Sequence, residues 1–196
     1  MLVPCLGRYE ILGKTRDDAA GEAFDKVAKL LNLLPSKGVL MGGRVVAELA
    51  EKGDPQAIPF PRALDNRAGL DFSFSGLKTA VLNYVRGLSL DEISGQLPDI
   101  AASFQAAVVD VLTAKTVRAM EQTGVETVAL AGGVAANHSL RKRLQEEVSG
   151  RNGRLYCPSP GLCTDNAAMI AAAGLFHLSR GDRTGFDLDA TPRLSL

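Results

Sequence analysis

The chain has 196 residues, 46% of them hydrophobic and 22% charged, with 20 glycines and no tryptophan. That suits one large domain or two small ones and excludes intrinsic disorder as the main state. Lys plus Arg is 22 and Asp plus Glu is 22, so a dedicated nucleic-acid binder with an overall basic excess is excluded, and any such contact must come from a local patch or a partner.

The first thirteen residues read as strand: apolar Leu2-Val3, a turn at Leu6-Gly7, then the alternating run Arg8 to Leu12 up to Gly13. Phe24, Val27, Leu31 and Leu34 recur at helical steps and predict an apolar helical stripe, with Asp17 and Asp18 at its positive end and Pro35 as its stop. A loop with Gly38, Gly42 and Gly43 leads to a short helix over Val45 to Leu49, ended by Gly53-Asp54-Pro55. Residues 55–76 are expected to be irregular, and Leu77 to Val85 helical. Pro98 is expected to open a long helix that buries Ile100, Phe104, Val108, Val111 and Leu112 and ends at Gly124. The β-branched run Val125 to Leu130 predicts a buried strand, emptying through Gly132-Gly133 into a basic helix over Leu140 to Val148. A strand at Arg154 to Cys157 and an Ala-rich helix over 167–178 complete an α/β pattern. With aromatics at 5%, the core is expected to rest on Ala, Val, Leu and Ile.

Three cysteines, Cys5, Cys157 and Cys163, without C-x-x-C argue against a disulfide framework or zinc knuckle and fit a reducing compartment. No stretch approaches 18 consecutive apolar residues, and the first five residues lack the basic region of a signal peptide. A cytoplasmic protein without a membrane span is expected.

Four features invite a chemical reading. A strand ending at Gly132-Gly133 before a helix brings backbone close to a ligand such as a nucleotide phosphate; equally, it is a tight turn with Asn137 as N-cap. Asp165 either caps the last helix, as Thr164 does equally well, or presents a carboxylate to a metal. Asp18, Glu22 and Asp25 share one helix face with Asp17 nearby, a repulsive cluster that suits a ribose or a cation, or else a solvated face offset by Lys26 and Lys29. Arg141, Lys142, Arg143, Arg151 and Arg154 form a basic patch, either a solvated helix face or a contact for RNA phosphate. His138 and His177 form no H-x-x-x-H pair and are expected at the surface.

Three stretches taken together carry a resemblance. DDAAGEAFDKVAKLL at 17–31, DFSFSGLKT at 71–79, and AGGVAAN at 131–137 followed by CTDNAAMIA at 163–171 resemble the TsaD family of tRNA threonylcarbamoyladenosine transferases, in order and spacing. The resemblance implies an actin-like ATPase fold with ribonuclease-H-like lobes. This chain would match the C-terminal lobe, incomplete, with a helical and irregular insertion at about 44–97 and no N-terminal lobe. It implies transfer of a threonylcarbamoyl group from threonylcarbamoyl-adenylate to N6 of an adenosine next to the tRNA anticodon, with partner proteins of the same modification complex. It also implies adenylate binding by Asp25, Gly43 and Asn137, with the Gly132-Gly133 turn at phosphate, and Asp165 as a ligand of one iron or zinc ion that polarises the acyl oxygen. No catalytic residue is assigned.

The family's H-x-x-x-H pair and its S-G-G-H-T strand are absent here. The loop before Gly42-Gly43 is longer than in the family, and Arg44 stands where it has proline. The expectation is a catalytically incomplete chain that does not hold the metal alone. The alternative is a non-catalytic nucleotide-binding or scaffold lobe. The absent strand is expected to leave a gap between Arg8–Leu12 and Val125–Leu130.

Overall fold

The stripe at helical spacing folds as expected. In a computed structural model, which describes residues 1–33, 42–63, 69–186 and 189, helix α1 (Ala20–Leu30) buries Ala23, Phe24, Val27 and Ala28 on one face. Its stop at Pro35 and the loop glycine Gly38 lie outside the described residues. Helix α2 (Gly42–Ala50) starts three residues earlier than periodicity indicates and takes in both glycines. Helix α3 spans Ser75–Arg86.

Helix α4 (Leu90–Thr123) is the spine, and it begins eight residues before Pro98. Ser89 caps it by accepting from Glu92 N at 3.3 Å, and the Glu92 carboxylate accepts from Ser89 N at 2.8 Å. This reciprocal pair satisfies two donors of the first turn, and the proline is carried inside the helix. Gly124, at φ +70, ends it with a left-handed residue. By length and composition α4 is apolar enough to cross a membrane, which the sequence reading did not anticipate, but most of that stretch is buried among the other helices.

The core lies between α1, α2, α3 and α4 and is mostly Ala, Val, Leu and Ile, as expected, with a few aromatic rings set into it. Phe24, Phe60, Phe74 and Phe104 are all buried. The rings of Phe24 and Phe104 meet edge to face at 5.1 Å, and those of Phe60 and Tyr84 at 5.9 Å. Few rings suffice because each buries more area than an aliphatic side chain.

Sheet structure is slight. Strands β1 (Leu2–Cys5) and β2 (Arg8–Glu10) form an antiparallel hairpin turned at Gly7, φ +85. Strands β3 (Thr127–Ala129) and β4 (Arg154–Tyr156) pair in parallel, Val128 opposite Leu155. They are joined through a 3₁₀ turn (Gly133–Ala136) and helix α5 (His138–Ser149). The strand expected over 125–130 is shorter and largely exposed, because a two-stranded sheet covered on one face leaves its other face to solvent. Among the described residues the two sheets do not join. A cavity of about 200 Å³ lies between them, lined by Leu2 and Leu12 on one side, Val128 and Ala129 on the other, and Ala119 and Met120 of α4. Helix α6 (Ala167–Ser179) buries none of its residues, and Ile170 and Leu175 are more than half exposed.

A reciprocal clasp between distant segments sets the approach to α1. Asp71 accepts from Lys14 N at 3.2 Å and Arg16 Nε at 3.0 Å. In return Asp17 accepts from Phe74 N at 2.8 Å, Ser75 N at 3.2 Å and the hydroxyls of Ser73 and Ser75. Asp17 therefore caps α3 from 58 residues away rather than serving α1. Burial pushes its pKa up, but the bonds from Ser73, Phe74 and Ser75 outweigh that and hold the carboxyl well below the usual carboxylate range.

A group depressed on folding contributes stability above its unfolded value, and that contribution disappears as pH falls through the folded value. Asp17→Ala is therefore expected to cost about 1–2 kcal/mol near neutrality, as loss of a cap does. The deficit should shrink on acidification below the ordinary value of 3.8. Urea denaturation at a series of pH values checks this; a pH-independent difference would remove the clasp from the account.

Candidate functional site

The acidic cluster of α1 resolves into separate tasks. Asp17 caps α3. Asp18 accepts from Lys26 Nζ, and that bond raises the Lys26 pKa. Glu22 accepts from Ala19 N at 2.9 Å, a cap within its own helix. Asp25, half-buried, is the member of the cluster with no hydrogen bond or ion pair among the described residues. Like-charge repulsion on this face is thus largely spent inside the fold, and among the described residues one carboxylate, Asp25, is left without a partner.

Asp25 faces the start of α2. A Cβ on Gly42 would lie 2.6 Å from Asp25 Oδ1 and 2.7 Å from Asp25 Cα. Gly42 is therefore required by the contact of α1 with α2. A Cβ on Gly43 would meet only Phe24 Cβ, at 3.8 Å. The first glycine is needed by the fold, and the second stands open.

One turn earlier on α1, Gly21 lies against Val134 of the 3₁₀ turn, a Cβ there falling 3.7 Å from Val134 Cγ2. Gly132 sits at φ +87 and ψ 169, a conformation that only glycine adopts without strain. Gly133 has open space where a side chain would be. The amides of Ala135 and Asn137 close on the carbonyls of Gly132 and Val134 at 2.9 and 3.0 Å. The glycine face of the turn is uncovered. Asp25, Gly43 and the 3₁₀ turn that carries Gly133 thus lie around α1, with Gly21 facing the turn and Asp25 facing the start of α2.

Asn137 caps α5 by accepting from Leu140 N at 3.0 Å, and its amide donates to Gln105 Oε1 of α4 at 2.7 Å. Gln105 in turn donates to Ser139 Oγ at 3.1 Å. Its structural role is established by these bonds.

At the last helix the sequence reading needs correction. The cap is Asn166, whose Oδ1 accepts from Met169 N at 3.0 Å, and neither Thr164 nor Asp165 fills that place. Asp165 is exposed and without a hydrogen bond among the described residues.

His138 and His177 lie at the surface, the latter 2.8 Å from Asp182. The basic patch is largely paired. Arg143 and Arg151 meet Glu147 at 3.2 and 2.7 Å, and Arg141 turns inward to carbonyls. Lys142 and Arg154 remain exposed.

A carboxylate without a partner among the described residues thus stands beside the glycine pair that opens α2, and a second glycine pair lies in the 3₁₀ turn against the same helix, on an α/β scaffold. Residues 1–172 match the model of the family described as tRNA N6-adenosine threonylcarbamoyltransferase (TsaD). Relatives of that name include the protein of Geobacter metallireducens, 54% identical over 185 residues, covering 94% of this chain and 53% of the relative. The protein of Geotalea uraniireducens is 51% identical over 191 residues, covering 97% and 54%. That of Symbiobacterium thermophilum is 53% identical over 192 residues, again covering 97% and 54%. The chain belongs to the tRNA N6-adenosine threonylcarbamoyltransferase family. It spans about half the length of the curated relatives it matches.

Proposed function

We propose that this chain supplies the adenylate-binding side of a tRNA threonylcarbamoyltransferase. The reaction joins N6 of a tRNA adenosine, next to the anticodon, to the carbamoyl carbon of threonylcarbamoyl-adenylate. A C–N bond forms, the bond from that carbon to the phosphate oxygen breaks, AMP leaves with the electron pair, and N6 gives up a proton. In this reading Asp25 accepts from ribose hydroxyls, Gly43 and the Gly132-Gly133 turn let backbone approach the nucleotide, and Asn137 fixes that turn against α4 and α5. The observation that supports the reading is that Asp25 alone in its acidic cluster has no partner among the described residues, while the open glycines lie around the same helix.

The family resemblance implies one iron or zinc ion. Among the described residues no three His, Cys, Asp or Glu side chains gather to hold a metal, and Asp165 stands apart. The described residues do not fit a metal, and nothing in the proposed binding is routed through one. Asp165 is proposed as one ligand of a site completed by groups outside this chain.

The fold is taken as a ribonuclease-H-like lobe of the actin-like ATPase class, with the parallel β3–α5–β4 unit as its support and residues about 44–97 as a helical insertion. Cytoplasmic location, tRNA and partner proteins of the modification complex accompany the family. A second reading, a nucleotide-binding or scaffold lobe without catalysis, is favoured by the lone Asp165.

Calorimetric titration of the chain with ATP tests the binding claim. Asp25→Ala, which removes a side chain without a hydrogen bond among the described residues, and Gly133→Val, where a Cβ meets nothing within 4 Å, should each weaken binding at least about tenfold, or 1.4 kcal/mol, with thermal denaturation checking that both variants stay folded. Unchanged affinity in both would place the nucleotide elsewhere. Threonylcarbamoyl transfer to tRNA on adding the missing metal ligands in trans separates the catalytic reading from the scaffold reading.

A further inference from the structure

Arg141 reaches three loop positions from the first turn of α5. Its Nε donates to the carbonyl of Ala135 in the 3₁₀ turn. Its Nη2 donates to the carbonyl of Pro158 at 2.7 Å and approaches Cys163 Sγ at 3.1 Å. Pro158 follows β4, and Cys163 closes the short 3₁₀ turn Pro160–Leu162, two residues before Asp165. The thiol of Cys163 is itself buried and donates to Ser159 O at 3.5 Å. Among the described residues no other side chain joins segment 132–137 to segment 158–166 by a hydrogen bond.

We infer that Arg141 is a positioning residue that locks the Cys163–Asp165 loop onto the Gly132-Gly133 turn, and so fixes where the Asp165 carboxylate stands relative to bound nucleotide. The geometry explains the residue type. Two acceptors on different segments must be met from one side chain, which the planar guanidinium fork does and a single ammonium does not. The sequence reading placed Arg141 in a surface basic patch; its half-buried, three-way bonding removes it from that patch and gives it a role in the site. Asp165 has no bond of its own among the described residues, so its position is inherited from Cys163. The inference rests on the adenylate reading above for its functional meaning.

Amide hydrogen exchange on the whole chain decides it. Ala135, Asn137, Leu162 and Cys163 have amides bonded within the two clamped segments, to Gly132, Val134, Ser159 and Pro160. Arg141→Met should speed exchange of all four by about tenfold or more through local opening, while Leu144 and Val148 in α5 keep their rates. Arg141→Lys should give a smaller rise, because its ammonium keeps three donors but at a single point that reaches one segment and not both, and it serves as the second variant should methionine unfold the chain. Unchanged rates at the four amides, or a rise shared equally by α5, would overturn the clamp.

ATP titration of the same variants supplies the functional readout. Weaker ATP binding with wild-type thermal stability supports positioning; full affinity alongside loosened segments overturns it. If wild-type chain binds no ATP, the adenylate reading fails while the exchange rates still decide the clamp.

Discussion

Phe104→Ala is expected to remove about 3–5 kcal/mol from the stability of the chain, the usual cost of emptying a buried phenylalanine site. Phe104 is wholly buried at the middle of α4 and meets Phe24 of α1 edge to face at 5.1 Å. Its ring is therefore a direct link between the spine helix and the helix that carries Asp25. The helices flanking it are held by further buried contacts from Ile100, Val108 and Val46, so the site has little freedom to collapse around the void. Urea denaturation measures the loss. Leu175→Ala on the exposed α6 is the control and should stay within about 0.5 kcal/mol of the parent. A Phe104→Ala loss no larger than that control would mean that α1 and α4 do not share a core.

Gly53→Ala is expected to cost about 3 kcal/mol or more, at the upper end for adding a single methyl to a packed site. A Cβ there would lie 2.1 Å from Pro98 O, 2.2 Å from Pro98 C and 2.6 Å from Asp99 N. All three are backbone atoms of α4, so no side-chain rotation relieves the clash. The turn after α2 is also pinned to α4 by hydrogen bonds, Asp54 N to Asp99 Oδ1 at 2.8 Å and Ile58 N to Ser103 Oγ at 3.1 Å. To admit the methyl, the turn must lift and these bonds must lengthen. Thermal denaturation checks it, with Gly161→Ala, where a Cβ meets nothing within 4 Å, as the neutral comparison. Equal melting temperatures for the two would contradict the close approach of Gly53 to Pro98.

What the sequence made legible was mostly local. The spacing of Phe24, Val27 and Leu31 found α1, and the helix-stop glycine at 124 found the end of α4, because periodicity and left-handed caps act within a few residues. The start of α4 was missed because Pro98 drew attention as an opener, although Ser89 and Glu92, three apart, carried the capping signal. The true cap of α3 is a carboxylate from a distant segment, and no local pattern encodes it. The exposure of β3 was missed for a related reason. A β-branched run reports strand preference but not how many neighbours the strand has.

The site divides the same way. Family-specific motifs are the ground for proposing Asp25, Gly43, Asn137 and the Gly132-Gly133 turn. Which carboxylate of the cluster is free, and that Arg141 turns inward, depend on partners brought together only by folding.

Nuclear magnetic resonance titration of the labelled chain with AMP tests the central claim most directly, because it locates the ligand without substituting a residue. The account predicts that amide shifts concentrate at Gly21, Asp25, Gly43, Gly132 and Gly133, with α6 and the β1–β2 hairpin unmoved. Shifts gathered instead at Leu2, Leu12 and Val128 around the cavity between the sheets, or no shifts at millimolar AMP, would contradict it.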